Sequence, residues 1–197
     1  MPSKKVAPAE APVLELRRQA EWAAWLEKHH RSSSGVWLRL GKKGSGVQSV
    51  SHAEALEVAL CYGWIDGQRR SEGERTWIQR FTPRGTRSIW SKINRQKALE
   101  LIESGRMRPA GLEEVERARE DGRWDAAYDA QRTATVPDDL RAALDANPRA
   151  KAFFATLDSR NRYAVLFRIH TAKKPETRAR RIAQFVAMLE RHETLHP

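Results

Sequence analysis

Between Trp64 and Asn94 the chain interleaves four large rings, Trp64, Trp77, Phe81 and Trp90, with Asp66, Gln68, Arg80, Arg84, Ser88 and Asn94. An aromatic wall with a few convergent polar groups is the usual make-up of a small-ligand pocket. The charges in this stretch point to an anion. Arg80 and Arg84, with Lys42 from an earlier loop, would supply positive charge and charge-assisted hydrogen bonds. Trp64 and Trp90 would offer stacking surfaces, and Asp66, Gln68 and Asn94 would orient the ligand. The same residues would equally build an ordinary core between sheet and helices, fixed by one buried Asp–Arg pair. Lys42 and Lys43 lie in Gly41-Lys42-Lys43-Gly44-Ser45-Gly46, where free amides and lysine can hold phosphate. The spacing is that of neither a P-loop nor a dinucleotide-binding turn, and a flexible loop explains it as well.

Other chemistries find less support. Cys61 is the sole cysteine, which excludes an intrachain disulfide and a cysteine-based metal cluster. It sits in Ala59-Leu60-Cys61-Tyr62, where a buried, inert thiol is expected. Six histidines occur, none forming His-x-x-x-His with a companion acid on one helix, since His192 and His196, which flank Glu193 at that spacing, lie beyond the last predicted helix; no metal site and no cofactor are expected. No nucleophile elbow, kinase or deaminase signature is present. An enzyme using Asp66 as acid or base stays open, because a desolvated carboxylate has no sequence signature.

The chain carries 36 Lys and Arg against 25 Asp and Glu, a formal charge of +11. That balance favours an anionic partner, whether nucleic acid or a phosphorylated small molecule, although charge that merely solubilises gives the same count. From Lys151 to Pro197 there are ten Lys/Arg and four Asp/Glu. Lys173, Lys174, Arg178 and Arg181 gather around a turn between two helices. This is the alternative reading, a basic helical hairpin binding nucleic acid; a solvated charged face is the simpler one.

The elements that would position these residues follow from periodicity. A helix is predicted over 13–29, then a strand over 36–40. Ser51-His52-Ala53-Glu54 has the form of a capping box and opens a helix over 53–62 that Gly63 ends. Residues 64–68 leave it as strand or turn, Glu72-Gly73-Glu74 is a hairpin turn, and 75–81 alternates as a second strand that Pro83 stops. Ser91 caps a helix to Ser104 with Ile93, Leu99 and Ile102 inward. Helices are then predicted over 112–120, 138–146 and from Pro148. A further one reaches Thr171, burying Tyr163, Leu166, Phe167 and His170. The last, over 175–191, buries Ala179, Ile182, Phe185, Val186 and Leu189. The fold class is α+β, with a small antiparallel sheet and packed helices in the N-terminal part and a helical C-terminal part. The expected organisation is a disordered tail at 1–12, an α+β core at 13–108, a linker with a short helix at 109–135 and a helical region at 136–197. No apolar run approaches the ~18 residues of a membrane span. The basic start has no apolar stretch behind it, so no signal peptide and no membrane insertion are expected, and the expected location is the cytoplasm.

With these residues in view, the chain resembles the YdeI/OmpD-associated family, also described as bacteriocin-protection proteins. One stretch carrying the resemblance runs from Ser51-His52-Ala53-Glu54-Ala55-Leu56 through Ala59-Leu60-Cys61-Tyr62-Gly63-Trp64-Ile65-Asp66-Gly67. It continues into Phe81-Thr82-Pro83-Arg84, Ser88-Ile89-Trp90-Ser91 and Asn94. The other is the basic tail from Lys173 to Ile182. The resemblance implies a link to stress and to resistance against bacteriocins or antimicrobial peptides, with no defined reaction.

Overall fold

The structure is a computed structural model, and it describes residues 11–197. The first ten residues of the expected tail lie outside the described residues. The chain forms two compact units. One runs to Ile89 and includes Asn94–Asp125; the other joins Trp90–Ile93 to Ala126–Pro197.

The first unit is built on a four-stranded sheet of β1 (Val13–Leu14), β2 (Val36–Gly41), β3 (Trp64–Glu72) and β4 (Thr76–Pro83), in the order β1-β2-β4-β3. β2, β4 and β3 are antiparallel, as the alternation predicts. β1 is parallel to β2, which makes the sheet mixed rather than purely antiparallel. The helix predicted from residue 13 therefore begins later, as α1 (Gln19–His29). Edge pairing claims Val13 and Leu14, and Trp37 N donates to Pro12 O at 2.9 Å.

Register sets the faces. Val36, Leu38 and Leu40 share one face with Phe81, Gln79, Trp77 and, from β3, Trp64 and Asp66. On that face Trp22 of α1 is fully buried. It stacks on Trp25 and meets Trp64 and Phe81 at centroid distances of 6.1 and 5.7 Å. Its Nε1 donates to Ala55 O at 3.0 Å, tying α1 to α2 (His52–Cys61). The capping box forms as read: Ser51 Oγ accepts from Glu54 N, and the Glu54 carboxylate accepts from Ser51 N. Gly63 adopts φ +72°, and a Cβ there would lie 2.7 Å from Ala110 O, so only glycine lets α4 (Pro109–Glu120) approach.

α3 (Lys92–Glu103) departs from the expected phase. Ile93 and Leu99 are exposed, while Ala98 and Leu101 are buried. Side-chain size points the expected stripe to the larger residues, whereas a small alanine occupies the buried line.

The second unit packs α5 (Asp138–Asp145), α6 (Pro148–Thr156), α7 (Ser159–His170) and α8 (Pro175–Glu190). Its core includes Leu140, Leu144, Phe154, Ile169, Ile182, Phe185 and Leu189. Asn147 and Asp158 cap α6 and α7 by accepting from Ala150 N and Asn161 N. Buried Asn161 accepts from Leu195 N and His196 N, fixing the C-terminal segment. On α7 the buried line is Val165, Leu166 and Ile169; Tyr163 and Phe167 are half-buried and His170 is exposed. On α8 Ala179 is exposed. Among the described residues no helix is long and apolar enough to cross a membrane.

Candidate functional site

The densest concentration of buried charge is in the first unit, where the loop after β4 meets the C-terminal half of α4 and the turn beyond it. Arg84 and Arg123 are each 4% exposed. Arg84 N donates to Gly63 O at 2.9 Å, which continues the sheet edge and carries the side chain inward. Its Nη1 donates to Ile89 O at 3.4 Å. Arg123 Nη1 donates to Ser88 O at 2.8 Å, and its Nε to the carboxylate of Asp121 at 2.7 and 2.8 Å. Arg117 donates through Nη2 to Arg84 O and to the Glu114 carboxylate. Arg117 thus pairs with the largely buried Glu114, and Arg123 and Arg84 lie near enough to act on it electrostatically while Arg123 also holds Asp121. Burial holds Glu114 above its usual carboxylate value, against the pull of Arg117, Arg123 and Arg84. It is a poor counter-ion for that reason. Nε of Arg117 and Nη2 of Arg123 have no hydrogen-bond partner among the described residues. An unmatched buried donor costs ~1–3 kcal/mol, and an oxyanion accepting from these donors would recover that energy.

Of the residues singled out in the sequence, Arg84 enters this cluster with its side chain and Ser88 with its carbonyl. Lys42 Nζ donates to Gly73 O at 2.8 Å, closing its loop onto the β3–β4 hairpin. Trp64 is 1% exposed, and its Nε1 donates to His30 O at 3.1 Å. Arg80 lies 5.7 Å from the centroid of Trp37, opposite it in register. Gln68 is exposed within an irregularity of β3 between Asp66 and Arg69, and its carbonyl accepts from Gln79 Nε2. Trp90 is buried and belongs to the second unit, while Asn94 stands half-buried on α3.

Asp66 has a partner that the sequence reading missed. His52, the first residue of α2, brings Nε2 to 3.0 Å from Asp66 Oδ2. The imidazole lies 5.8 Å from Trp77 and 6.4 Å from Phe81, and the Arg69 guanidinium sits 4.1 Å above the Trp77 ring. The carboxylate orients the imidazole through that one nitrogen. Irregular strand pairing beside it re-aims side chains, as bulges do near functional groups. His52 sits inside the capping box, a signal for the start of a helix that says nothing of a carboxylate partner.

In the second unit, Lys173 and Lys174 are exposed before α8. Arg178 chelates Asp139 through Nε and Nη2 at 2.5 and 2.9 Å and donates to Ile169 O. Arg181 donates to Arg168 O and Thr171 Oγ1. Two of the four cations considered for nucleic acid are therefore engaged within the helical hairpin.

Comparison with protein families places residues 14–114, just over half of the chain, under a domain of unknown function, DUF8412. Residues 133–192 match the family described as bacteriocin-protection, YdeI or OmpD-associated. The resemblance to YdeI/OmpD-associated proteins thus stands over the C-terminal part, whereas the stretch from Ser51 to Asn94 falls under the first match. Neither the curated proteins nor the solved structures compared with the chain gave a match.

Proposed function

Since the chain belongs to the DUF8412 family, whose description states no reaction, we propose a function from side-chain chemistry: the first unit recognises a small oxyanion through Arg84, Arg117 and Arg123. The observation that carries this reading is the pair of buried guanidinium nitrogens without a partner, Arg117 Nε and Arg123 Nη2, beside a carboxylate, Glu114, that burial disfavours. A phosphate or carboxylate group supplies several strong acceptors and the missing negative charge, and its bonds to arginine are charge-assisted. The formal charge of +11 favours approach of such a ligand.

The name of the family matched at 133–192 supports a place for this protein in protection against bacteriocins. Oxyanion recognition would be its molecular activity, in the cytoplasm.

The test is thermal unfolding at constant ionic strength with chloride replaced by inorganic phosphate, sulfate or acetate. Phosphate should raise the melting temperature of the wild type, as any ligand selective for the native state does, and Arg117→Gln should abolish the increment. Identical melting in chloride and phosphate would refute the reading.

A further inference from the structure

The second unit encloses a cavity of about 120 Å³ between α7, α8 and the irregular segment that precedes α5. Three aromatic rings form part of its wall, beside polar residues that include Asp129 and Thr135. Tyr128 meets Phe167 edge to face at 5.0 Å, and Tyr163 meets the same ring at 5.8 Å and 39°. Leu166, 5% exposed, contributes aliphatic surface. The Tyr163 hydroxyl donates to Asp129 O at 2.9 Å, which fixes that ring, and burial pushes its phenol above its ordinary value, so it stays neutral.

The charged residues of the lining are already matched. Asp129 pairs with Lys92 at 2.7 Å. Arg178 is chelated by Asp139, and its remaining nitrogen donates to Ile169 O. A charged ligand would therefore meet no free counter-charge and would lose its hydration. Size narrows the class further. Apolar cavities of about 150 Å³ accept a benzene ring, so this one suits a single six-membered ring and not a fused system. The inclined rings offer edge-to-face and offset contacts to another aromatic ring. Thr135 and His170, the most exposed of the lining, mark the open side and can bond a polar substituent. His170 Nε2 lies 3.3 Å from Ala126 O. A carbonyl only accepts, so Nε2 carries the hydrogen and, in the neutral ring, Nδ1 is an acceptor.

We propose that this cavity is a binding site for a neutral, single-ring aromatic molecule of the phenol class. Eight of its ten lining residues fall within 133–192, the segment matched to the bacteriocin-protection family, and none belongs to the arginine cluster.

The experiment is ligand-observed saturation-transfer NMR on the full chain with four probes: phenol, cyclohexanol, benzoate and benzylamine. Phenol should bind, and each of the other three should bind at least about tenfold more weakly, because two carry an unmatched charge and one lacks the ring. Ala134→Leu adds volume at the lining and should reduce phenol affinity by about tenfold or more; melting temperature checks that it folds. The wild-type ranking does not depend on that variant. No phenol signal at about 10 mM, equal binding of benzoate or benzylamine, or undiminished binding in folded Ala134→Leu would overturn the proposal.

Discussion

Arg123→Gln is the sharpest perturbation of the arginine cluster. The side chain is 3% exposed, and it holds Asp121 through Nε and Ser88 O through Nη1 at 2.8 Å. Glutamine is shorter and neutral, so both contacts go. Leaving Ser88 O without this donor costs ~1–3 kcal/mol. The bond to Asp121, whose side chain is 42% exposed, is screened by solvent and adds ~1 kcal/mol or less. Against this, the substitution removes a buried Nη2 that has no partner, returning ~1–3 kcal/mol. In chloride buffer the two sides nearly cancel, and the variant should be less stable by only about 1 kcal/mol. Phosphate changes the comparison. At a concentration a hundredfold above its dissociation constant, a ligand of the native state adds ~2.7 kcal/mol, and only to the protein that binds it. The gap between wild type and variant should then widen to about 4 kcal/mol. Urea denaturation followed by tryptophan fluorescence measures both gaps, since Trp22, Trp25, Trp37, Trp64, Trp77 and Trp124 all belong to the first unit. A gap of the same size with and without phosphate refutes the reasoning, because the cluster would then be a structural fixture that needs no anion.

Glu114→Gln should raise stability at neutral pH, since burial raises the carboxyl in the folded state and its ionisation therefore favours unfolding. The gain should fade in melts recorded as pH falls to about 4, where the unfolded carboxyl also protonates, and phosphate should bind the variant more tightly. Asp139 works in the opposite sense: the hydrogen bonds from Arg178 hold it below the usual carboxylate range. Its contribution is present at neutral pH and lost as pH falls through the depressed value, so Asp139→Asn should lower the second unit's melting point at pH 7 and match wild type in strong acid. With side chains 28% and 45% exposed, the effect is about 1 kcal/mol or less. If the basic hairpin binds nucleic acid, replacing Lys173 and Lys174 with glutamine should reduce the log–log salt slope by about 2. Arg178 and Arg181, already engaged, should change it less, and binding without salt dependence would end that reading.

What the sequence made legible was local. Ser51 and Glu54 lie three residues apart and satisfy each other's backbone, so the start of α2 could be read directly. The β3–β4 hairpin showed in the Glu72-Gly73-Glu74 turn, and Gly73 takes φ +65°. Phase was less secure. The buried line of α3 runs through Ala98, whose small side chain gives no hydrophobic signal, so larger exposed residues drew the assignment. β1 was hidden for a related reason: two residues completing a sheet edge leave no periodicity to detect.

The site shows the same limit more strongly. Arg84 stands out because it lies among aromatic residues, whereas Arg117 sits on a helix so rich in charge that spacing marks no arginine in it as buried. Arg123 lies in an irregular turn. Their burial follows from partners far away in the chain: Ser88 O is 35 residues from Arg123, and Arg84 O is 33 from Arg117. A backbone carbonyl carries no residue identity, and the acids these arginines also bind, Glu114 and Asp121, are sequence neighbours that look like ordinary local surface pairs, so neither partner marks the arginines as buried. The His52–Asp66 pair is different, because both residues are chemically distinctive. It escaped notice because the chain must leave α2 at Gly63 and run back along β3 before the carboxylate reaches the helix N-terminus. Sequence reasoning recovers such a pair only when the strand after a capped helix is taken to return antiparallel beneath it, and that follows from packing rather than from spacing.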